Sequence, residues 1–185
     1  MSLHAITRHP PPPTGRVLVY GAGSLGLCAV TVLRVLYLQV AVAVVARFDA
    51  QAELAHRFGA DKVLAHEPRP AVIEELVAWF EVGVRVLASR GTLVKAGVHA
   101  PGRWEWSPLY FKEINWVGSN AFGVEEVSGE RKHAIAHYLD LAADGRVDLS
   151  PMLTHTFGLE QWRDGFLAIA NQGESGAVKV AIDYR

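Results

Sequence analysis

Glycines at 21, 23 and 26, within VLVYGAGSLG at residues 17–26, form the pattern best suited to chemistry in this chain. An apolar strand, Val17 to Tyr20, runs directly into them, and an apolar helical pattern follows. At such a strand-to-helix turn Gly21 permits the tight bend and Gly23 leaves room for a pyrophosphate to approach the backbone. Gly26 lets the helix pack closely on the strand. Unpaired N–H groups at the helix start then meet the phosphates, so the chemistry would be capture of a dinucleotide. The competing reading is a flexible turn, since the chain contains 17 glycines. The strand before the glycines and the helix after them favour the dinucleotide.

Other reactive side chains carry weaker patterns. His133 and His137 are four apart, a spacing that puts two imidazoles on one helix face as a metal pair requires. No third ligand accompanies them, and a polar helix face beside Ala134 and Tyr138 is the favoured reading. His66 and His99 end strands on the side where ligands collect, without an orienting carboxylate at informative spacing, and His155 reads as structural. Cys28, the single cysteine, excludes an internal disulfide and a cysteine-rich metal cluster, and its apolar surroundings place it toward the core. Trp104, Trp106, Tyr110 and Phe111 concentrate aromatics in one stretch, suited equally to an interface and to satellite packing.

The elements that must position these residues are those of an ordinary soluble chain. With 185 residues, 50% of them apolar and 20% charged, there is polymer for one core and a modest appendage. Eighteen Lys and Arg oppose 19 Asp and Glu, which gives no field to attract a polyanion, and no basic block or aromatic platform suggests nucleic acid. The apolar runs are interrupted by Arg34, Gln39 and Arg47 before membrane-spanning length, and no secretory pattern opens the chain, so a cytoplasmic protein without a membrane segment is expected.

Residues 1–15, with prolines at 10 to 13, read as a proline-rich leader or a severed connection. The apolar runs predict strands at 17–20, 40–46 and 62–65, separated by helices at 25–38, where Arg34 faces solvent, and 49–58. HEPRP at 66–70 predicts a loop, 71–80 a helix, 92–98 a strand and 114–118 another. A helix is expected from Gly129 through Ala143, a strand at 152–157, a helix at 159–170 with Trp162, Phe166 and Ile169 on its inner side, and a last strand at 177–184. The fold class is α/β, a Rossmann-like, mostly parallel sheet with a C-terminal return segment. The division is 16–125 for the dinucleotide-binding domain and 126–185 for the C-terminal helix–strand segment.

The order of landmarks resembles the cofactor-binding and C-terminal portion of the medium-chain, zinc-type alcohol dehydrogenase superfamily. The matching pieces are VLVYGAGSLG at 17–26, AHRFGADKVL at 55–64, RGTLVKAGV at 90–98 and INWVGSNAFG at 114–123. LAADGRVDLSPMLTHTFGLEQWRDGF at 141–166 and GAVKVAI at 176–182 continue the series. The resemblance implies a nicotinamide dinucleotide over the glycine turn, with Gly21, Gly23, Ser24, Leu25 and Gly26 at the pyrophosphate. It implies Gly97, Val98 and His99 as a wall near the nicotinamide, with Ser119 and Asn120 after Gly118 at the same crevice. The activity implied is hydride transfer to or from an alcohol or a polyol or sugar-like substrate.

Two departures qualify that implication. Counting back from FGAD, the position that distinguishes NAD from NADP holds Ala46, followed by Arg47. Loss of a carboxylate and gain of a guanidinium favour a 2′-phosphate, hence NADP over NAD. The alternatives are an NAD-like contact from Asp49 across a shorter turn and an Arg47 that simply faces solvent. A strand usual in the family is also missing where Phe80 meets Glu81, so the sheet is shortened there. The family's zinc belongs to an N-terminal catalytic domain that this chain lacks, so no metal site is expected here. Completion of the pocket would fall to a homo-oligomer or a catalytic-domain partner, and the different-class alternative is a noncatalytic nucleotide-binding or interaction remnant.

Overall fold

The computed structural model describes residues 1–65, 81–97 and 106–185. Its elements begin with α1 (Ser2–Arg8), β1 (Arg16–Tyr20), α2 (Ser24–Leu36), β2 (Ala41–Ala46), α3 (Asp49–Arg57) and β3 (Lys62–Ala65). A helical segment at 81–86, α4, comes next. It is followed by β4 (Thr92–Lys95), α5 (Ser107–Phe111), β5 (Asn115–Gly118), β6 (Val124–Val127) and β7 (Glu130–His133). The chain ends with α6 (Ala134–Ala143), β8 (Leu153–Gly158), α7 (Trp162–Ala170), α8 (Gln172–Ser175) and β9 (Lys179–Asp183). These elements fall into two units.

The larger unit takes in Pro11–His66 and Ala136–Arg185. Its sheet is parallel in the order β1-β2-β3, with Val19 opposite Val44 and Val44 opposite Val63. Val42 and Val44 are fully buried, and burial of a valine stabilises by about 1.5–3 kcal/mol. The helix α2 lies on β1 and α3 on β2 and β3; the two helices also touch each other, as consecutive crossovers of one hand require. Leu27, Val30, Val32 and Leu33 form the buried face of α2. The hydroxyl of Thr31 on α2 shares a 2.8 Å hydrogen bond with that of Tyr138 on α6. Burial raises the Tyr138 phenol far above its ordinary range, so it stays protonated. The parallel pair β8–β9 carries α7 through Gly165, whose missing Cβ would stand 3.1 Å from Ile182 and 3.3 Å from Phe157.

The smaller unit is Leu3–Pro10 with Glu67–Ile135. Here β4 and β5 pair in parallel, and β6 and β7 form an antiparallel hairpin. Lys112 Nζ donates to the carbonyls of Val84, Arg85 and Leu87, at 2.9, 2.7 and 2.9 Å, and so caps the C-terminal end of α4. His4 on α1 donates to the Glu125 carboxylate on β6, and the Thr7 hydroxyl donates to its other oxygen at 2.9 Å.

The element pattern agrees with the expected α/β class, and it corrects several particulars. Residues 2–8, within the stretch read as a proline-rich leader or severed connection, are helix, with Leu3 and Ala5 buried. Arg34 is partly buried and tied to the protein rather than left to solvent. Its guanidinium bonds Gly59 O at 2.5 Å, Val40 O at 2.8 Å and Asp61 Oδ2 at 2.5 Å, while that Asp61 oxygen also accepts Val42 N–H at 2.7 Å. The helix expected from Gly129 begins only at Ala134, because Val124–Val127 and Glu130–His133 pair around a turn with Ser128 and Gly129 at positive φ. Two successive positive-φ residues are what a tight hairpin needs. His133 therefore closes a strand while His137 lies buried on α6, and no helix carries both. Trp162, Phe166 and Ile169 are exposed rather than inward, Phe166 by 70%, because Gly165 supplies the packing face of α7. The expected loop at 66–70, helix at 71–80, the shortening at Phe80 and Trp104 lie outside the described residues.

The Arg34 cluster joins α2 to the ends of β2 and β3, so Arg34→Ala should lower unfolding free energy by about 1–3 kcal/mol, seen as a lower midpoint in urea. Burial alone would raise the Glu125 carboxyl, yet the hydrogen bonds from His4 and Thr7, with the charges of His4 and Arg8, hold it below the ordinary carboxylate range. A depressed folded-state value gives stability that is complete above the unfolded carboxyl pKa, about 4.3, and is lost as pH falls through the folded one. Urea melts of wild type should therefore lose stability below about pH 4.3 more steeply than those of Glu125→Gln.

Candidate functional site

The site is built where β1 ends. Gly21 takes φ +106°, a conformation that costs a side chain dearly, and its N–H bonds Val45 O at 3.1 Å, tying the turn to β2. Gly23 caps α2 with extended backbone and no side-chain hydrogen bond, and no atom lies within 4 Å of where its Cβ would stand. A Cβ at Gly26 would stand 1.9 Å from Gly21 O, closer than any real Cβ contact. The first turn of α2 holds no acidic residue. Ser24, half-buried, and Leu25, exposed, open that turn at the positive end of the helix dipole.

Facing this turn is the end of β2. Ala46 is the last strand residue, paired with Ala65 and only 4% exposed, so it offers the site no polar group. Arg47 is exposed, and its guanidinium lies 5.4 Å from the centre of the Phe48 ring. An open cleft of about 310 Å³ is lined by Gly21, Ala22 and Gly23 on one side, by Arg47 and Phe48 on another, and by Gln51 and Gln172. Asp49 lines a neighbouring depression of about 240 Å³ with Ala52, His56 and Ala65, and Ala46, Arg47 and Phe48 border that depression as well. The structure thus brings Gly21, Gly23 and Arg47 to one cleft.

Gly97, Ser119 and Asn120 belong to the smaller unit. They lie just past the C-terminal ends of β4 and β5, where Lys95 pairs with Gly118 and Ser119 N–H bonds Lys95 O at 2.8 Å. Ligands of open parallel sheets collect at such ends. Gly97 has nothing within 4 Å of its Cβ position, Asn120 is exposed, and Ser119 is buried with its Oγ unpartnered among the described residues. Val98 and His99 lie outside the described residues, as does His66.

The remaining candidates have structural settings. His155 stacks on Phe157 in β8 with centroids 6.2 Å apart. Cys28 is half-buried in α2, and its carbonyl accepts from Thr31 at 2.9 Å. Trp106 pairs with Trp116 at 5.4 Å, while Tyr110 and Phe111 are exposed. No described helix is long and apolar enough to cross a membrane. Sequence reasoning missed Phe48, Gln51 and Gln172. The first two follow β2 directly and were findable once Arg47 was; Gln172 had no local signal.

No family model matches the chain. An L-threonine 3-dehydrogenase of Anaeromyxobacter sp. (strain K) is 28% identical over 186 residues, covering 91% of this chain and 50% of the relative. The chain spans about half the length of the curated relatives it matches at this coverage. Among solved structures, an Escherichia coli CFT073 protein described as a short chain alcohol dehydrogenase, complexed with NADH, superposes with TM-score 0.77 at 21% identity. That likeness covers 99% of this chain and 56% of the other. S. aureus TarJ, in complex with NADPH, gives TM-score 0.75 at 18% identity, over 100% of this chain and 61% of that one. Fold and relatives together match the medium-chain, zinc-type alcohol dehydrogenase/reductase superfamily, over its cofactor-binding and C-terminal part.

Proposed function

We propose that this chain binds a nicotinamide dinucleotide at the glycine turn, NADP in preference to NAD, and serves hydride transfer to or from an alcohol or a polyol or sugar-like substrate in a completed pocket. The observation that carries the reading is the Gly21–Gly26 turn, where a helix with uncapped N–H groups sits directly on the strand end and Gly23 leaves its approach open. The residues present fit the phosphates of such a ligand. Gly23, Ser24 and Leu25 would meet the pyrophosphate, and the Arg47 guanidinium would meet a phosphate on the adenosine ribose. Buried Ala46 provides no carboxylate to repel it.

Hydride exchange is what a bound nicotinamide supplies. The part of this chain is to orient it, and Gly97, Val98, His99, Ser119 and Asn120 are the proposed residues toward that end. The chain's one cysteine, in α2, does not make a Cys-built zinc centre, and no step proposed here runs through a metal. Zinc, if the completed pocket uses it, comes with a catalytic-domain partner; a homo-oligomer is the other route to completion. The second reading, a noncatalytic nucleotide-binding or interaction module, is favoured by the exposed apolar face of Trp162, Phe166 and Leu167.

Calorimetric titration of the purified chain with NADPH and NADH tests the proposal. NADPH should bind more tightly, and Arg47→Ala should weaken NADPH about tenfold while leaving NADH within about twofold, the loss of one charged hydrogen-bonding group. NADH binding at least as tightly as NADPH would reject the role of Arg47, and binding of neither would reject the site. Two glycine variants separate cradle from scaffold. Gly23→Ala should keep the melting temperature and lose nucleotide affinity, since the new methyl projects into open space. Gly26→Ala should lose both, because overpacking against a backbone oxygen costs about 1–3 kcal/mol or more. Turnover of alcohols and polyols by folded, nucleotide-bound protein with added zinc distinguishes enzyme from module.

A further inference from the structure

The C-terminal segment reaches the cleft from far along the chain. Gln51, on the first turn of α3, is 7% exposed, and its Nε2 donates to Gln172 Oε1 at 3.2 Å across 121 residues of sequence. Both side chains line the cleft that Gly21, Gly23 and Arg47 line. Around Gln172 the backbone is fixed from several directions. Ser175 Oγ donates to Ala168 O at 2.7 Å and accepts from Ala177 N–H at 3.1 Å, and Gly176 turns the chain at φ +68°. Gly173 lies against Phe48, whose ring carbon would be 3.2 Å from a Cβ there. A side chain larger than hydrogen at 173 would push on the aromatic that backs Arg47.

Two amides sharing one hydrogen bond retain further N–H donors and a free carbonyl lone pair, all uncharged. Groups of that kind suit ribose hydroxyls and phosphate oxygens, which accept from neutral donors without the desolvation cost of burying another ion.

We infer that Gln172, held by Gln51, is a positioning residue of the nucleotide site, donating to the phosphorylated adenosine ribose so that the C-terminal segment becomes part of the site in cis. This rests on the nucleotide reading above. It adds that the ligand's adenosine end protects α8 further, and that the charge at position 172 sets tolerance for the ribose phosphate.

Titration of the full chain with adenosine 2′,5′-bisphosphate and with 5′-AMP tests both. Wild type should bind the bisphosphate more tightly, and Gln172→Ala should weaken both ligands about fivefold to tenfold, the loss of a hydrogen bond. Gln172→Glu should weaken the bisphosphate further than AMP, a change in ratio that loss of packing alone would not produce. Ligand should also slow amide hydrogen exchange at residues 171–176 of the wild-type chain, a measurement that needs no variant. Affinities of both variants within twofold of wild type, or unchanged exchange at 171–176 in a chain that does bind, would overturn the inference alone. Failure of wild type to bind either ligand, or NADPH, would overturn the nucleotide reading and this inference with it.

Discussion

With no side chain at Gly26, the first turn of α2 rests directly on the carbonyl of Gly21, and much of the larger unit depends on that approach. A Cβ there would fall 1.9 Å from the oxygen, a separation that forbids every other residue unless helix and strand part. Because α2 starts so close to the end of β1, Leu27, Val30 and Leu33 descend onto the sheet and are sealed from water. The same proximity forces the bend at Gly21, whose N–H then reaches Val45 O and locks the turn to β2. Scaffold and cradle are therefore one arrangement of backbone.

Electrostatics in the cleft have to be local. The chain carries a formal net charge of −1, so no long-range field draws an anion in, and screening at physiological salt confines surface charges to about 8 Å. What the cleft has, among the described residues, is the dipole of an uncapped helix and the cation of Arg47, over the Phe48 ring. The helix end acts on whatever phosphate lies within its first turn, as any such helix would. In the proposed reading, discrimination among dinucleotides falls on the residues at the end of β2, where an aliphatic and a guanidinium side chain stand in sequence. The two glutamines add donors without adding charge, which suits a wall that must accept a ligand and release it.

The sequence made the β1-α2-β2-α3-β3 succession legible because each of those strands is a short apolar run and each helix carries a periodic apolar face. The turn was legible because its glycines answer steric demands between neighbours in sequence. The hairpin was not. VEEV and ERKH bury little, and the one deeply placed side chain, Glu125, owes its burial to His4 and Thr7, more than a hundred residues earlier. Its only local sign was Ser128-Gly129, which reads as readily as a helix start. Arg34 misled for a related reason: a lone cation on an apolar helix normally seeks water, yet this one satisfies three oxygens, from Val40, Gly59 and Asp61. Gln172 was invisible because its partner is set by tertiary return of the chain, which no window of sequence contains.

The chain uses close approach through glycine more than once, and the comparison shows what makes one instance a site. Gly165 lets α7 settle onto β8 and β9, with Ile182, Phe157 and Val180 all within 3.4 Å of its Cβ position. That contact inverts the expected orientation of the helix, turning Trp162 and Phe166 outward, since the smallest residue rather than the largest decides which face can come nearest the strands. Gly83 does the same on a smaller scale above Leu93. In these two cases the glycine lies within a helix and its surroundings are side chains. At Gly26 the contact is a carbonyl, the glycine lies in the first turn, and the N–H groups beside it have no side-chain cap. Tight packing supplies position in all three, but only at Gly26 does it coincide with helix donors lacking a side-chain cap and an open approach at Gly23, the combination that suits an anion.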